Sequence, residues 1–151
     1  MENNNKTING GEKKIDDLLN ALENDTNASI MKLTNSKIKQ YKNNILQQIG
    51  LERDKLKLFH RKLKYYRYCD DFMSLQLGYY IRWISLKKPD DIKLTNGAII
   101  IDIKLLDNGM HLLCKNNMNR IIQIKFDEII IFQKISNQEK VILSVLDYLD
   151  K

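Results

Sequence analysis

The chain has 151 residues, 43% of them hydrophobic, with a mean hydropathy of −0.43 and a formal charge of +6. That is enough for one domain with its own core plus an arm or a tail. No apolar run is long enough to span a bilayer, and MENNNKTINGGEKK holds no apolar segment after its charges, so neither a membrane anchor nor a secretory signal is expected.

Usage is skewed toward residues with A/T-rich codons: 20 Lys, 16 Asn and 21 Ile stand against 3 Ala and 5 Arg. The abundance of Lys therefore says less about function than the place where its charge gathers. Residues 1–33 carry four Lys against six acids, net −2. Residues 34–68 carry ten Lys or Arg against Glu52 and Asp54, net +8, and residues 69–151 carry eleven of each sign. The whole excess sits in one stretch, which favours an anionic or acidic partner.

In chain order, residues 1–14 are polar, rich in Asn and Gly, and expected to form a disordered tail. Ile15, Leu18, Leu19 and Leu22 follow at helical spacing, and Asn24–Ser29 breaks the pattern. From Ser36 the helical signal returns. Ile38, Tyr41, Ile45 and Ile49 form one stripe, and Leu56, Phe59, Leu63 and Tyr66 form another after Gly50. Lys and Arg fill the positions between, so residues 15–72 read as a basic helical arm with a break near Gly50. Such an arm also suits self-association as a hairpin or dimer.

From Leu77 the period becomes strand-like. Tyr79–Leu86 ends at Pro89, and Ala98–Leu106 runs into Asp107-Asn108-Gly109, the strongest hairpin signal in the chain. Met110–Lys115, Arg120–Phe126 and Ile129–Lys134 are the next three strands, separated by Asn-rich and acidic turns. Ser136 with Glu139 then forms a capping box for a last helix, with Ile142, Val145, Leu146 and Leu149 facing inward. Residues 73–151 thus read as a small five-stranded antiparallel, SH3-like barrel with a closing helix, with an open meander carrying helices on one face as the alternative, and the chain as α+β.

Two groups of residues carry candidate chemistry. Pro89-Asp90, followed after eleven residues by Asp102-Ile103-Lys104, has the form of the PD-(D/E)xK nucleases. Asp90 and Asp102 would share Mg²⁺ and Lys104 would stabilise developing charge. The bland reading is an alternating strand whose solvent face carries an acid and a Lys, and the hairpin after Lys104 departs from the strand-to-helix step of those enzymes. The second group is the basic helix. Arg53, Lys55, Lys57, Arg61, Lys62, Lys64 and Arg67 could meet phosphates, with Tyr65, Tyr66 and Tyr68 stacking on bases. The bland reading here is a solvated face whose tyrosines pack the helix onto the body.

Other chemistry finds little support. Tyr79, Tyr80 and Trp83 could form an aromatic cage, but a lone Trp on a first strand is more simply a core anchor. His60, His111, Cys69 and Cys114 match no zinc spacing, and no P-loop, GxGxxG or GxSxG is present, so no metal or cofactor is expected. The two cysteines read as reduced thiols of an intracellular protein.

Residues 77–151, above all GYYIRWISLKKPDDIKLTNGAIIIDIK and DEIIIFQKISNQEKVILSVLDYLDK, resemble small uncharacterised proteins of large nucleocytoplasmic DNA viruses, and the Asn/Ile/Lys bias is similar to that of their A/T-rich genomes. The resemblance implies a host-cytoplasmic or virion setting. It is anchored on no catalytic motif, and the basic helix lies outside it. The reading of the whole chain is a non-catalytic interaction module that docks on nucleic acid or an acidic protein through its basic helix. A Mg²⁺-dependent nuclease and a purely structural virion component are the alternatives.

Overall fold

The computed structural model describes residues 2–150; of residues 2–12 and Thr26 it describes the backbone alone. The helices are α1 (Glu2–Glu23), α2 (Asn35–Ile49), α3 (Arg53–Lys62) and α4 (Asn137–Leu149), with a 3-10 helix over Asp25–Lys32. The strands are β1 (Tyr66–Cys69), β2 (Tyr80–Ser85), β3 (Ala98–Leu106), β4 (Gly109–Lys115), β5 (Ile121–Lys125) and β6 (Ile129–Lys134). The α+β class is as expected. The tail expected over 1–14 falls mostly on residues whose side chains lie outside the described set, and helix α1 begins at Glu2.

The chain divides into two compact units, Met1–Lys37 with Ser136–Lys151, and Ile38–Ile135. This division falls elsewhere than the expected boundaries at 14/15 and 72/73. The reason is packing: residues 38–72 bury their apolar positions on the sheet, whereas α4 packs with α1 and the 3-10 helix.

In the first unit, Ala21, Ile30, Ile142 and Leu143 are buried, and Ile15, Leu19 and Leu22 of α1 are exposed. Buried Asn27 donates from Nδ2 to the Ala21 carbonyl at 2.8 Å and to Gln138 Oε1 at 3.1 Å. The capping box of α4 forms as the sequence predicts. The Glu139 N–H donates to Ser136 Oγ at 3.1 Å, and the Ser136 N–H donates to Glu139 Oε1 at 2.9 Å.

The second unit is built on one antiparallel sheet in the order β1-β6-β2-β3-β4-β5. It is open, with β1 and β5 at its edges. Six strands in an open sheet replace the five-stranded barrel, because residues 66–69 form a strand and not the last turn of a helix. Tyr66 lies at helical spacing from Leu63, but the alternation Tyr-Arg-Tyr-Cys sends Tyr66 and Tyr68 to one face and Arg67 and Cys69 to the other.

Each face of the sheet has its own core. On one face Leu46 of α2 and Phe59 of α3, with Leu63 just beyond, cover Tyr66, Ile84, Ile130 and Phe132. The other face gathers Cys69, Ile81, Trp83, Ala98, Ile100, Leu112, Cys114 and Ile131, with Leu75 from the loop after β1. Trp83 is therefore a core anchor. A bulge between Ile100 and Asp102 shifts the register of β3, so that Ile103 continues the inward row after Ile100.

Candidate anion-binding face

Helix α3 is set by its apolar positions. Phe59 and Leu63 are buried, Leu56 and Lys55 are half-buried, and the opposite side carries Arg53, Lys57 and Arg61. At 3.6 residues per turn these three cations point away from the sheet, with Asp54 the one acid on that side, and exposed Lys64 follows in the turn after α3. Lys57, His60, Arg61 and Asp54 line an open hollow of about 600 Å³. The ion pairs Lys87–Glu128 (2.9 Å), Lys93–Asp91 (3.2 Å) and Lys125–Asp127 (3.8 Å) include no residue of α3. Among the described residues, none of Arg53, Lys55, Lys57, Arg61, Lys62 and Lys64 is ion-paired. Lys55 Nζ lies 5.9 Å from the Phe59 ring centroid, so part of its charge is directed along the helix.

The three tyrosines separate. Tyr65 follows α3 in the turn before β1 and is 52% exposed, with Lys64 Nζ 5.5 Å from its ring centroid. The Ile135 N–H donates to the Tyr65 carbonyl at 2.8 Å, which fixes the backbone of the turn against the end of β6. Tyr66 is only 9% exposed and belongs to the core. Tyr68 is half-buried, its ring centroid 6.0 Å from that of Phe132. Burial raises the pKa of both the Tyr66 and the Tyr68 hydroxyl.

Arg67 also leaves the candidate set. It is 3% exposed, on the far side of β1 from α3, and its Nη2 donates to the Ser74 carbonyl at 3.0 Å. Its cross-strand neighbour, the fully buried Gln133, accepts from the Gln76 N–H at 2.8 Å. The pair holds the loop after β1 on the sheet, so both are structural.

The residue that sequence reasoning missed is Lys42. It is 5% exposed, and its Nζ donates to the carbonyls of Leu63 at 2.8 Å and Tyr66 at 3.0 Å. Through the Leu63 carbonyl it closes the end of α3, where the macrodipole favours a cation, and through the Tyr66 carbonyl it ties that end to the start of β1. Burial, reinforced by Lys39, lowers its pKa to about 8. Burial and Lys42 in turn hold the His60 imidazole below its usual range.

The nuclease set is not brought together. Asp90 lies in the turn that follows the C-terminal end of β2. Asp102 lies on β3, beyond the Ala98 and Ile99 that pair with the first residues of β2, Ile81 and Tyr80. The antiparallel register therefore sets the two carboxylates off opposite ends of β2. Asp102 Oδ1 accepts from the Ile103 N–H at 2.9 Å, and Lys104 faces solvent opposite His111. His111 itself is buried between Asn108 and Gln123, with Nε2 2.8 Å from Asn108 Oδ1 and Nδ1 3.1 Å from Gln123 Nε2. Among the described residues, no three His, Cys, Asp or Glu side chains are grouped to hold a metal ion, and no helix is long and apolar enough to cross a membrane.

No family model, curated protein or solved structure matches the chain.

Proposed function

We propose that this protein is a non-catalytic interaction module that binds an anionic partner through the outward face of α3. The observation that supports this reading is the orientation of the helix. Phe59 and Leu63 are committed to the sheet, which leaves Arg53, Lys57, Arg61, Lys62 and Lys64 fixed on a rigid support without intramolecular ion pairs among the described residues. Cations carried on a folded helix spare the backbone ordering that a flexible segment would cost when it meets phosphates or carboxylates. The binding set is thereby narrower than the sequence suggests, since Arg67 and Tyr66 serve the core. A host-cytoplasmic or virion setting rests on the resemblance of residues 77–151 alone.

Heparin and short oligonucleotides test the reading. Affinity is expected to fall with added salt at a log–log slope of about −2 to −4, the value for roughly three to five neutralised charges. The triple variant Lys57→Glu, Arg61→Glu, Lys62→Glu should abolish binding while its circular dichroism stays that of the parent. Binding that ignores salt, or that survives the triple variant, overturns the reading.

A further inference from the structure

The end of the cationic stripe carries an aromatic ring. Lys57, Arg61 and Tyr65 recur every four residues, and the turn after α3 keeps Lys64 within reach of the helix, its N–H donating to the Arg61 carbonyl at 3.4 Å. Within α3, Lys57 and Arg61 lie opposite Phe59 on the helical wheel, and Lys64 and Tyr65 follow in the turn after its last residue, Lys62. Tyr65 is half exposed in a stretch whose other two tyrosines are drawn into the core. Its carbonyl is tied to Ile135, so the ring is presented from a fixed backbone, and Lys64 Nζ stands 5.5 Å from the ring centroid. A ring with a cation over one of its faces thus stands at the end of a ten-residue helix, about 15 Å long.

From this we infer that the anionic partner is a single-stranded nucleic acid. Lys57, Arg61 and Lys64 would follow its phosphates while Tyr65 stacks on one base. The inference rests on the reading of α3 as a polyanion-binding face and adds Tyr65 to it. Single strands differ from other polyanions in offering unstacked bases, and base–aromatic stacking is tolerant of sequence. A duplex keeps its bases stacked on one another, and heparin or an acidic peptide has none, so neither gains from the ring. Lys64 beside the ring serves the same geometry, since a nucleotide brings its phosphate and its base within one residue's reach of each other.

The test compares four probes by fluorescence anisotropy or competition: a short oligothymidine, a duplex of equal length, heparin and a poly-glutamate peptide. The parent protein should prefer the single strand. Tyr65→Ala and Tyr65→Leu should weaken oligothymidine binding about tenfold, leave the duplex and heparin within about twofold, and Tyr65→Phe should keep the parent affinity. The Tyr65 main chain keeps its hydrogen bond in each variant, and Tyr65→Leu retains apolar bulk without a planar ring, so a fold defect and a lost stack are told apart. Equal loss for all probes, or no loss for the single strand, overturns the base-stacking role while the cationic face stands. Preferential binding of poly-glutamate overturns it in favour of an acidic protein partner. If no probe binds, this inference and the reading of α3 both fail.

Discussion

Lys42 is the residue at which burial and charge meet most directly. Its ammonium has two carbonyl partners, yet desolvation outweighs them and brings its pKa from 10.5 to about 8. The unfolded chain therefore binds the proton more tightly than the folded one between those values, and folding stability must rise with pH once pH 8 is passed. Cys114 acts in the opposite sense. Burial pushes its thiol from 9.0 up to about 12, so the unfolded chain loses that proton first, and above pH 9 this contribution falls and offsets the rise from Lys42. Between pH 8 and 9, below the range in which Cys114 acts, the gain from Lys42 is expected to be about 1 kcal/mol. Urea titrations across that interval should show it, and Lys42→Met should remove the slope while lowering stability throughout, because the Leu63 and Tyr66 carbonyls lose their donor. A Lys42→Met variant that keeps the full pH dependence would assign it to another group.

At the level of elements, β2 and β3 are joined by few direct pairs, Tyr80 with Ile99 and Ile81 with Ala98. The segment before β3 supplies the rest. The Thr95 N–H donates to the Trp83 carbonyl at 3.0 Å, the Trp83 N–H to Thr95 Oγ1 at 3.1 Å, and Arg82 Nε to the Thr95 carbonyl at 2.8 Å. Gly97 closes the approach with φ at +97, and a Cβ there would sit 2.3 Å from the Ile81 carbonyl oxygen. Backbone strain at such a position costs about 1–3 kcal/mol before any clash is counted. Gly97→Ala is therefore expected to cost at least about 2 kcal/mol, read as a lowered denaturant midpoint. If it unfolds like the parent, the 95–97 segment does not hold the two strands together. These elements were not equally visible in the sequence. Ala98–Leu106, Ile129–Lys134 and the Ser136 cap were legible because β-branched runs, turn residues and a capping box are local signals. The hairpin after β3 was legible too, though its geometry differs: the positive φ falls on Gly109, and Asn108 keeps an ordinary one. Strand β1 was not legible, since a tyrosine three residues after Leu63 satisfies a helical stripe as well as a strand. Nor was the inward face of α2. The structure buries Ile38, Lys42 and Leu46 and leaves Tyr41 exposed, because a lysine whose amine can reach two carbonyls competes with an aromatic for the inner row. For the candidate site, spacing found the cations of α3. It could not sort Tyr65 from Tyr66, or solvent-facing Lys57 from buried Arg67, because that distinction depends on where the helix ends and the edge strand begins.

Over the whole molecule, charge is divided as unevenly as hydrophobic burial. Residues 38–135 carry 18 Lys or Arg against 10 acids, net +8, and the remaining residues carry 7 against 9, net −2. Both faces of the sheet bury their apolar clusters within the positive unit. Its cations on α3 face like charges with no ion-paired acid among the described residues, so they repel one another in the folded state. Added salt screens that repulsion and also weakens attraction to any polyanion. The two effects have opposite signs for one set of side chains. Folding stability should therefore rise slightly with salt, by less than about 1 kcal/mol, over the range in which polyanion affinity falls steeply. Charge reversal at Lys57, Arg61 and Lys62 should remove both slopes together. Denaturant midpoints and binding isotherms measured across one salt series would decide it. Stability that falls with salt would mean that these cations are already held by attraction within the molecule, and α3 would then have no charge to spare for a partner.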